Sequence, residues 1–146
     1  MMGDVWVYIQ FLFAALALIA FAIKDIRERI IPDKWIALAI AGSLVIRLFY
    51  SPGELLSYIG AAALLGFLFL VVAMISNGGL GGGDVKLFAW LGLTIGLNGA
   101  LWITLISSVL GITFAYLLKK ESIPFAPFVF IGFAVCQSIT FFGGGV

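Results

Sequence analysis

Residues 55–84 read LLSYIGAAALLGFLFLVVAMISNGGLGGGD, in which an apolar run from Leu55 to Ser76 is followed at once by a glycine-rich segment that ends in Asp84. An α-helix needs about 20 mostly apolar residues to cross the hydrocarbon core of a bilayer, and this run is long enough. It also contains small residues against which a second helix can pack closely. These are Gly60, Ala61, Ala62, Ala63 and Gly66. The stretch therefore predicts a membrane-spanning helix, followed by a glycine-rich segment that leads to a carboxylate.

The composition extends this interpretation to the whole chain. Of its 146 residues, 64 % are hydrophobic and 10 % are charged, whereas a typical soluble domain is about 25 % charged. There is no histidine and one cysteine, Cys136, which excludes histidine-dependent nucleophiles and zinc sites built on these residues. A net charge of +1 gives no reason to expect a nucleic acid partner. We expect a protein of the lipid bilayer that binds no metal and no cofactor.

Six apolar segments follow one another along the chain. They are Val5–Ile23, Trp35–Tyr50, Leu55–Ser76, Val85–Leu97, Ala100–Leu118 and Ile123–Phe142. We therefore predict an all-α polytopic membrane protein in which residues 1–146 form a single transmembrane domain. The short fourth segment is either a full crossing or a re-entrant hairpin. If it crosses, the basic loops all fall on one side, which the positive-inside rule makes cytoplasmic. This predicts six transmembrane helices in the inner membrane, a short fourth helix, and both termini outside.

The breaks between these segments carry local predictions. Glycine occupies five of the six positions 78–83, and because glycine is unfavourable inside a helix we expect a loop there. Asp33 is expected to cap the second helix, and Asn98-Gly99 to form a turn. Arg47, near the end of the second helix, is expected to extend its charged group outward to the membrane surface; the alternative is a buried pairing with Glu54.

Two carboxylates stand out because the predicted topology places both at the cytoplasmic face. Asp25 follows the first apolar segment and Asp84 precedes the fourth. Acidic residues beside membrane segments tend to face protein or water, so each is a functional candidate; the plain alternative is a loop residue paired with Lys24, Arg27 or Lys86. Two carboxylates that share a site ionise one at a time, which supplies an acid and a base to activate water against an amide bond. A serine–lysine dyad is also conceivable, but no motif supports it.

Three stretches, in order along the chain, resemble the motifs of type IV prepilin peptidases, which are membrane aspartyl proteases of the Gly-x-Gly-Asp type. They are KDIRERIIPD at 24–33, GGGDVKL at 81–87 and IPFAPF at 123–128. The resemblance implies that Asp25 and Asp84 are the catalytic pair of an endopeptidase. It also implies the substrate: a prepilin or prepilin-like precursor, whose short basic leader is removed just after a glycine at the cytoplasmic face. The sequence looks like the short peptidases of Flp-type tight-adherence pili or of archaeal preflagellins, and the resemblance does not extend to the methyltransferase activity of long members.

Seven further residues of these motifs are candidates for shaping the site or binding substrate. They are Gly81, Gly83, Lys86, Glu28, Asp33, Pro124 and Pro127. The glycines let backbone approach closely, and the carboxylates of Glu28 and Asp33, like that of Glu121, are suited to attract a basic leader. Lys86 is either a positive-inside anchor or a modulator of the carboxylate pair. The prolines are expected to start the last helix, with Pro127 placed to kink it, while Arg29 is expected to contact lipid headgroups because it would repel a basic leader.

The helix ends predict different roles for the two carboxylates. Asp84 lies near a helix N-terminus, where negative charge is favoured, and Asp25 lies near a helix C-terminus, where it is disfavoured. This argument makes Asp84 the anion and general base, and Asp25 the acid that keeps a proton.

The alternative function is a small cation or proton transporter or channel that uses the same acids. Such a protein would be expected to carry an ionisable residue near the middle of the membrane. Asp25 and Asp84 lie instead at predicted helix ends, so the peptidase is the favoured prediction.

Overall fold

The apolar runs fold as α-helices that pack against one another. The structure, a computed structural model, describes residues 2–77, 79–120 and 123–143. Within these residues the helices are α1 (Met2–Glu28), α2 (Asp33–Tyr50), α3 (Leu55–Ile75), α4 (Gly82–Ile95), α5 (Leu97–Leu118) and α6 (Ala126–Phe142), with a short 3-10 turn at Pro52–Glu54. This part of the chain contains no β-strand, so the all-α prediction is confirmed.

Three stretches of helix are long and apolar enough to cross a bilayer. They are Val5–Glu28, Pro52–Ile75 and Leu97–Leu118, and α6 contributes a shorter apolar segment. Large apolar side chains on their outer faces are exposed, among them Leu56 of α3 and Ile112 of α5. Continuous apolar surface of this kind is suited to lipid and not to water. The chain is therefore a multi-pass membrane protein.

Helix α4 is short, as predicted, and lies at the centre of the bundle. It has 14 residues, which makes it about 21 Å long at 1.5 Å per residue, and it packs against α2, α3 and α5. Leu87, Trp90 and Leu91 are fully buried, as is Phe88, whose ring stacks on Phe69 of α3 at 3.9 Å between centroids. Because protein surrounds these side chains, α4 does not have to match the thickness of a bilayer.

Helices α3 and α4 approach each other closely at small residues. A Cβ atom added to Gly92 of α4 would lie 2.8 Å from the carbonyl oxygen of Ala61, and one added to Gly66 of α3 would lie 3.1 Å from the Cβ of Ala89. A Cβ atom added to Gly60 would meet nothing within 4 Å. The predicted close contact at small residues is therefore present, and Ala61 and Gly66 form the α3 side of it.

Two helices extend further into polar or glycine-rich sequence than predicted. Helix α1 continues beyond Ile23 to Glu28, and Lys24 Nζ donates to Glu28 Oε1 at 2.7 Å across its last turn, so an i,i+4 ion pair supports that turn. Helix α4 includes Gly82 and Gly83, which the sequence placed in a loop. The prediction was wrong here because a first turn has N–H groups that need no partner within the helix, so glycine is less costly there than in the interior.

The break between α4 and α5 is a single residue. Gly96 has a φ of 88°, a backbone conformation that glycine adopts without steric cost. Helix α5 then starts at Leu97. Asn98-Gly99 consequently lies in the first turn of α5, and the turn predicted at these two residues was wrong.

Two polar side chains of α2 also differ from the predictions. Asp33 is the first residue of the helix, Pro32 occupies the cap position, and no side chain caps this end. Arg47 is only 5 % exposed, and its guanidinium donates to the backbone carbonyl of Thr94. Arg47 does not extend outward because α4 supplies an acceptor inside the bundle.

Candidate active site

The end of α1 and the starts of α2 and α4 meet around one cavity of about 330 Å³. Asp25 reaches it from α1 and Asp84 from α4. The other charged residues that line the cavity are Arg29, Asp33 and Lys86. The backbone of Gly81, Gly82 and Gly83 also lines it. The two carboxylates that the sequence singled out are thus brought to one polar cavity by helices that are separate in the chain.

Asp25 is held by a third helix. Its side chain is 8 % exposed, and Oδ2 accepts a hydrogen bond of 2.8 Å from the backbone N–H of Ala126. Ala126 is the first residue of α6, so this N–H is one of those that a helix N-terminus leaves without an internal acceptor. The start of α6 therefore fixes the position of one oxygen of Asp25.

Asp84 lies in the first turn of α4, outside the three membrane-length stretches of helix, and is partly buried. Burial and, secondly, the negative charge of Asp25 raise the pKa of Asp84 from 3.8 to about 6, against the opposing effect of a backbone hydrogen bond from Gly81. The helix-end argument predicted the opposite direction for Asp84 and was wrong. It considered only the N-terminus of α4, and desolvation together with the second carboxylate outweighs that effect.

Of the three acidic residues expected to attract a leader, Glu121 lies outside the described residues, and one of the other two lines the cavity. Asp33 does so and is paired with Lys86, whose Nζ lies 2.6 Å from Asp33 Oδ1. Glu28 is not among the lining residues and is paired with Lys24 instead. Asp33 is therefore placed to contact a leader in the cavity, whereas Glu28 is not, although the sequence provided no reason to distinguish them.

Arg29 lines the cavity, whereas the sequence assigned it to lipid headgroups. It follows the last residue of α1 with a φ of 53°, and its N–H donates to the carbonyl of Asp25 at 2.9 Å. A non-glycine residue in this left-handed region turns the chain sharply at the helix end. Its place inside the 24–33 stretch was the signal that could have suggested a role at the site.

The two prolines flank Ala126, whose N–H binds Asp25, but they do not line the cavity. Pro124 precedes α6 and Pro127 is its second residue. A proline in the first turn removes no helical hydrogen bond, so the expected kink at Pro127 was wrong. Their local effect is to begin the helix at Ala126, whose N–H binds Asp25.

The arrangement is suited to acid–base chemistry. Within the described ranges no group of three or more His, Cys, Asp or Glu side chains could hold a metal ion. Two carboxylates that interact electrostatically share protons as a pair. Such a pair can take a proton from water and give one to a carbonyl oxygen within one cavity.

Comparisons with known proteins agree with the motifs. A family model described as the type IV leader peptidase family matches residues 12–116, which include both Asp25 and Asp84. The "Prepilin leader peptidase/N-methyltransferase" of Bacillus subtilis (strain 168) is 35 % identical over 125 residues, covering 79 % of this chain and 49 % of that protein. This chain therefore spans about half the length of that relative. No solved structure matches this chain. The chain belongs to the type IV leader peptidase family.

Proposed function

We propose that this protein is a membrane aspartyl endopeptidase that removes the short basic leader from prepilin or prepilin-like precursors. The observation that carries the proposal is the shared cavity, which Asp25 and Asp84 from two separate motifs both line, and in which burial and then the charge of Asp25 raise the pKa of Asp84. Membership of the type IV leader peptidase family supports the substrate class.

The raised pKa of Asp84 favours it as the acid, which leaves Asp25 as the base. The N–H of Ala126 holds one oxygen of Asp25 in place, so the other oxygen is left to face water. Asp25 takes a proton from water as the water oxygen attacks the scissile carbonyl carbon, and Asp84 gives its proton to the carbonyl oxygen. When the C–N bond breaks, the amine takes the proton from Asp25, and Asp84 recovers its proton from the hydroxyl group.

The cavity opens on the cytoplasmic face of the inner membrane in this proposal. The helix ends around it carry Lys24, Arg27, Arg29, Lys34 and Lys86, and basic residues concentrate on the cytoplasmic side of membrane proteins. With α4 counted as a crossing, the chain passes the membrane six times and both termini lie outside. Residues 1–146 then form a single transmembrane peptidase domain.

The test is co-expression of this protein with candidate prepilins, followed by measurement of leader removal on gels and by mass spectrometry of the new amino terminus. Asp25→Asn and Asp84→Asn are each expected to abolish cleavage. Glu54→Gln is the matched control, because Glu54 belongs to the turn at the other end of α2, and it should cleave like the wild type. Retained cleavage by either aspartate variant would overturn the catalytic assignment, and no cleavage by the wild type across several prepilins would favour the transporter.

A further inference from the structure

A buried arginine lies in the same bundle, on α2, where it contacts the end of α4 opposite to Asp84. Arg47 is 5 % exposed, and the described residues include no ion pair between it and a carboxylate. Its guanidinium carbon lies 3.3 Å from the ring centroid of Tyr58 on α3, so a cation–π contact replaces part of its hydration. A charged group in such a place costs free energy unless its contacts compensate for the lost water.

The main compensation is the C-terminus of α4. Arg47 Nη2 donates to the backbone carbonyl of Thr94. Thr94 belongs to the last turn of α4, where a carbonyl receives no hydrogen bond from an N–H of the same helix. Positive charge is favoured at a helix C-terminus because the peptide dipoles leave partial negative charge there. Arg47 therefore binds α4 through its backbone end, a contact that depends on where along its axis α4 sits.

Further hydrogen bonds join α2 and α4 next to this contact. Trp90 Nε1 donates to Ser43 Oγ at 3.0 Å, and Ser43 Oγ lies 3.1 Å from Thr94 Oγ1. The buried ring of Trp90 also meets Phe21 of α1 edge-on, with 5.5 Å between centroids. Polar contacts are directional, so they fix the rotation and height of α4 more narrowly than the apolar packing around it.

We propose that Arg47 is a positioning residue that holds α4 at the height which brings Asp84 into the cavity opposite Asp25. Asp84 and Thr94 lie on one continuous helix, so a shift at the Thr94 end moves the Asp84 end as well. The link to catalysis rests on the proposed function, whereas the effect on the position of α4 does not.

The first test measures position without activity. In a Cys136→Ser background, cysteines at Asp33 and Lys86, whose side chains meet at the cavity, are joined by a short bis-maleimide in membranes. Arg47→Met keeps an unbranched apolar stem but loses the guanidinium, and it is expected to slow cross-linking several-fold. Arg47→Lys retains a donor and should restore part of the rate, while Tyr58→Phe retains the ring face and should leave it unchanged. An unchanged rate in folded Arg47→Met would overturn the proposal.

The second test measures leader cleavage with Arg47 alone replaced. Misplacement of a reacting group by about 1 Å can cost about 100-fold in rate, so Arg47→Met is expected to lower kcat by about 10-fold or more at unchanged KM. Arg47→Lys should recover part of kcat. A rise in KM with unchanged kcat would contradict the positioning role. If Arg47→Met slows cross-linking although the wild type cleaves no prepilin, the role of Arg47 in placing α4 would still be supported, and the result would count against the proposed function alone.

Discussion

The carboxylate of Asp25, at the end of α1, accepts a 2.8 Å hydrogen bond from the backbone N–H of Ala126, which lies 101 positions later in the chain. The contact joins the first and third motifs and uses a donor that the α6 helix cannot satisfy internally. It gives the third motif a specific role at the site, as the donor of a backbone N–H to Asp25. Asp25 is therefore both a candidate for catalysis and a hydrogen-bond partner of the start of α6.

This double role predicts different stabilities for two inactive variants. Asp25→Asn keeps an acceptor for the Ala126 N–H and is expected to unfold within about 0.5 kcal/mol of the wild type, whereas Asp25→Ala leaves a buried N–H unpaired and should lose about 1–3 kcal/mol. Unfolding in one detergent, followed by circular dichroism, measures the difference. Equal stability of the two variants would show that the hydrogen bond with Ala126 contributes nothing to folding.

The pKa of Asp84 predicts how stability depends on pH. The folded protein raises the pKa of Asp84 to about 6, so it holds this proton more tightly than the unfolded chain, and ionisation of Asp84 lowers stability as pH rises through this range. Asp84→Asn removes the charge and is expected to be more stable than the wild type above pH 6, by up to about 3 kcal/mol since one pKa unit corresponds to about 1.4 kcal/mol. The difference should vanish below about pH 3, where the carboxyl of Asp84 is protonated in both the folded and the unfolded wild type. Melting temperatures of both proteins between about pH 3 and about pH 7 test it, and a wild type that gains stability relative to Asp84→Asn as pH rises would contradict the assigned direction.

The ion pair at the cavity predicts which acid binds the leader. Exposed ion pairs are worth about 0–1 kcal/mol, so a lysine of the leader can displace Lys86 from Asp33 at little cost. Asp33→Asn is expected to raise KM several-fold for a basic leader, and Lys86→Gln to lower it, because Lys86 no longer competes. Both effects should disappear with a precursor whose leader lysines are replaced by glutamine.

Glu28→Gln is the matched control for this experiment. Glu28 carries the same charge and pairs with Lys24, but it does not line the cavity. Its KM should equal that of the wild type. If Glu28→Gln raised KM as much as Asp33→Asn does, leader binding would depend on the general charge of this surface and not on the cavity.

The meeting of Asp25 and Asp84 in one cavity could be predicted because it depends on few facts. Hydropathy gave the approximate ends of the apolar segments, and counting crossings placed both acids on one side. The ionisation of Asp84 could not be derived in the same way, because its pKa depends on desolvation and on the nearby Asp25. Those terms need three-dimensional distances, which sequence spacing does not provide.

The contact of Arg47 with α4 is a second feature that could not be predicted from the sequence. A basic residue near the end of an apolar segment ordinarily reaches the membrane surface, and the other partner that the sequence offers nearby is the side chain of Glu54, not a backbone carbonyl of α4. The carbonyl of Thr94 is available to accept a hydrogen bond from Arg47 because α4 ends at Ile95, before Gly96. The sequence placed that end at Leu97 and the turn at Asn98, so the carbonyl that binds Arg47 could not be identified.

The contact between α3 and α4 predicts that two glycine substitutions have opposite effects. A Cβ atom at Gly92 would lie 2.8 Å from the carbonyl oxygen and 2.9 Å from the carbonyl carbon of Ala61. Both are backbone atoms, so α3 would have to move, and Gly92→Ala is expected to cost about 1–3 kcal/mol. Gly60→Ala meets nothing within 4 Å and should be neutral or stabilising by up to about 1 kcal/mol, because alanine favours a helix. Thermal unfolding of both variants in the same detergent measures the pair, and a Gly92→Ala protein as stable as Gly60→Ala would show that α3 and α4 are less closely packed than the distance of Gly92 from Ala61 implies.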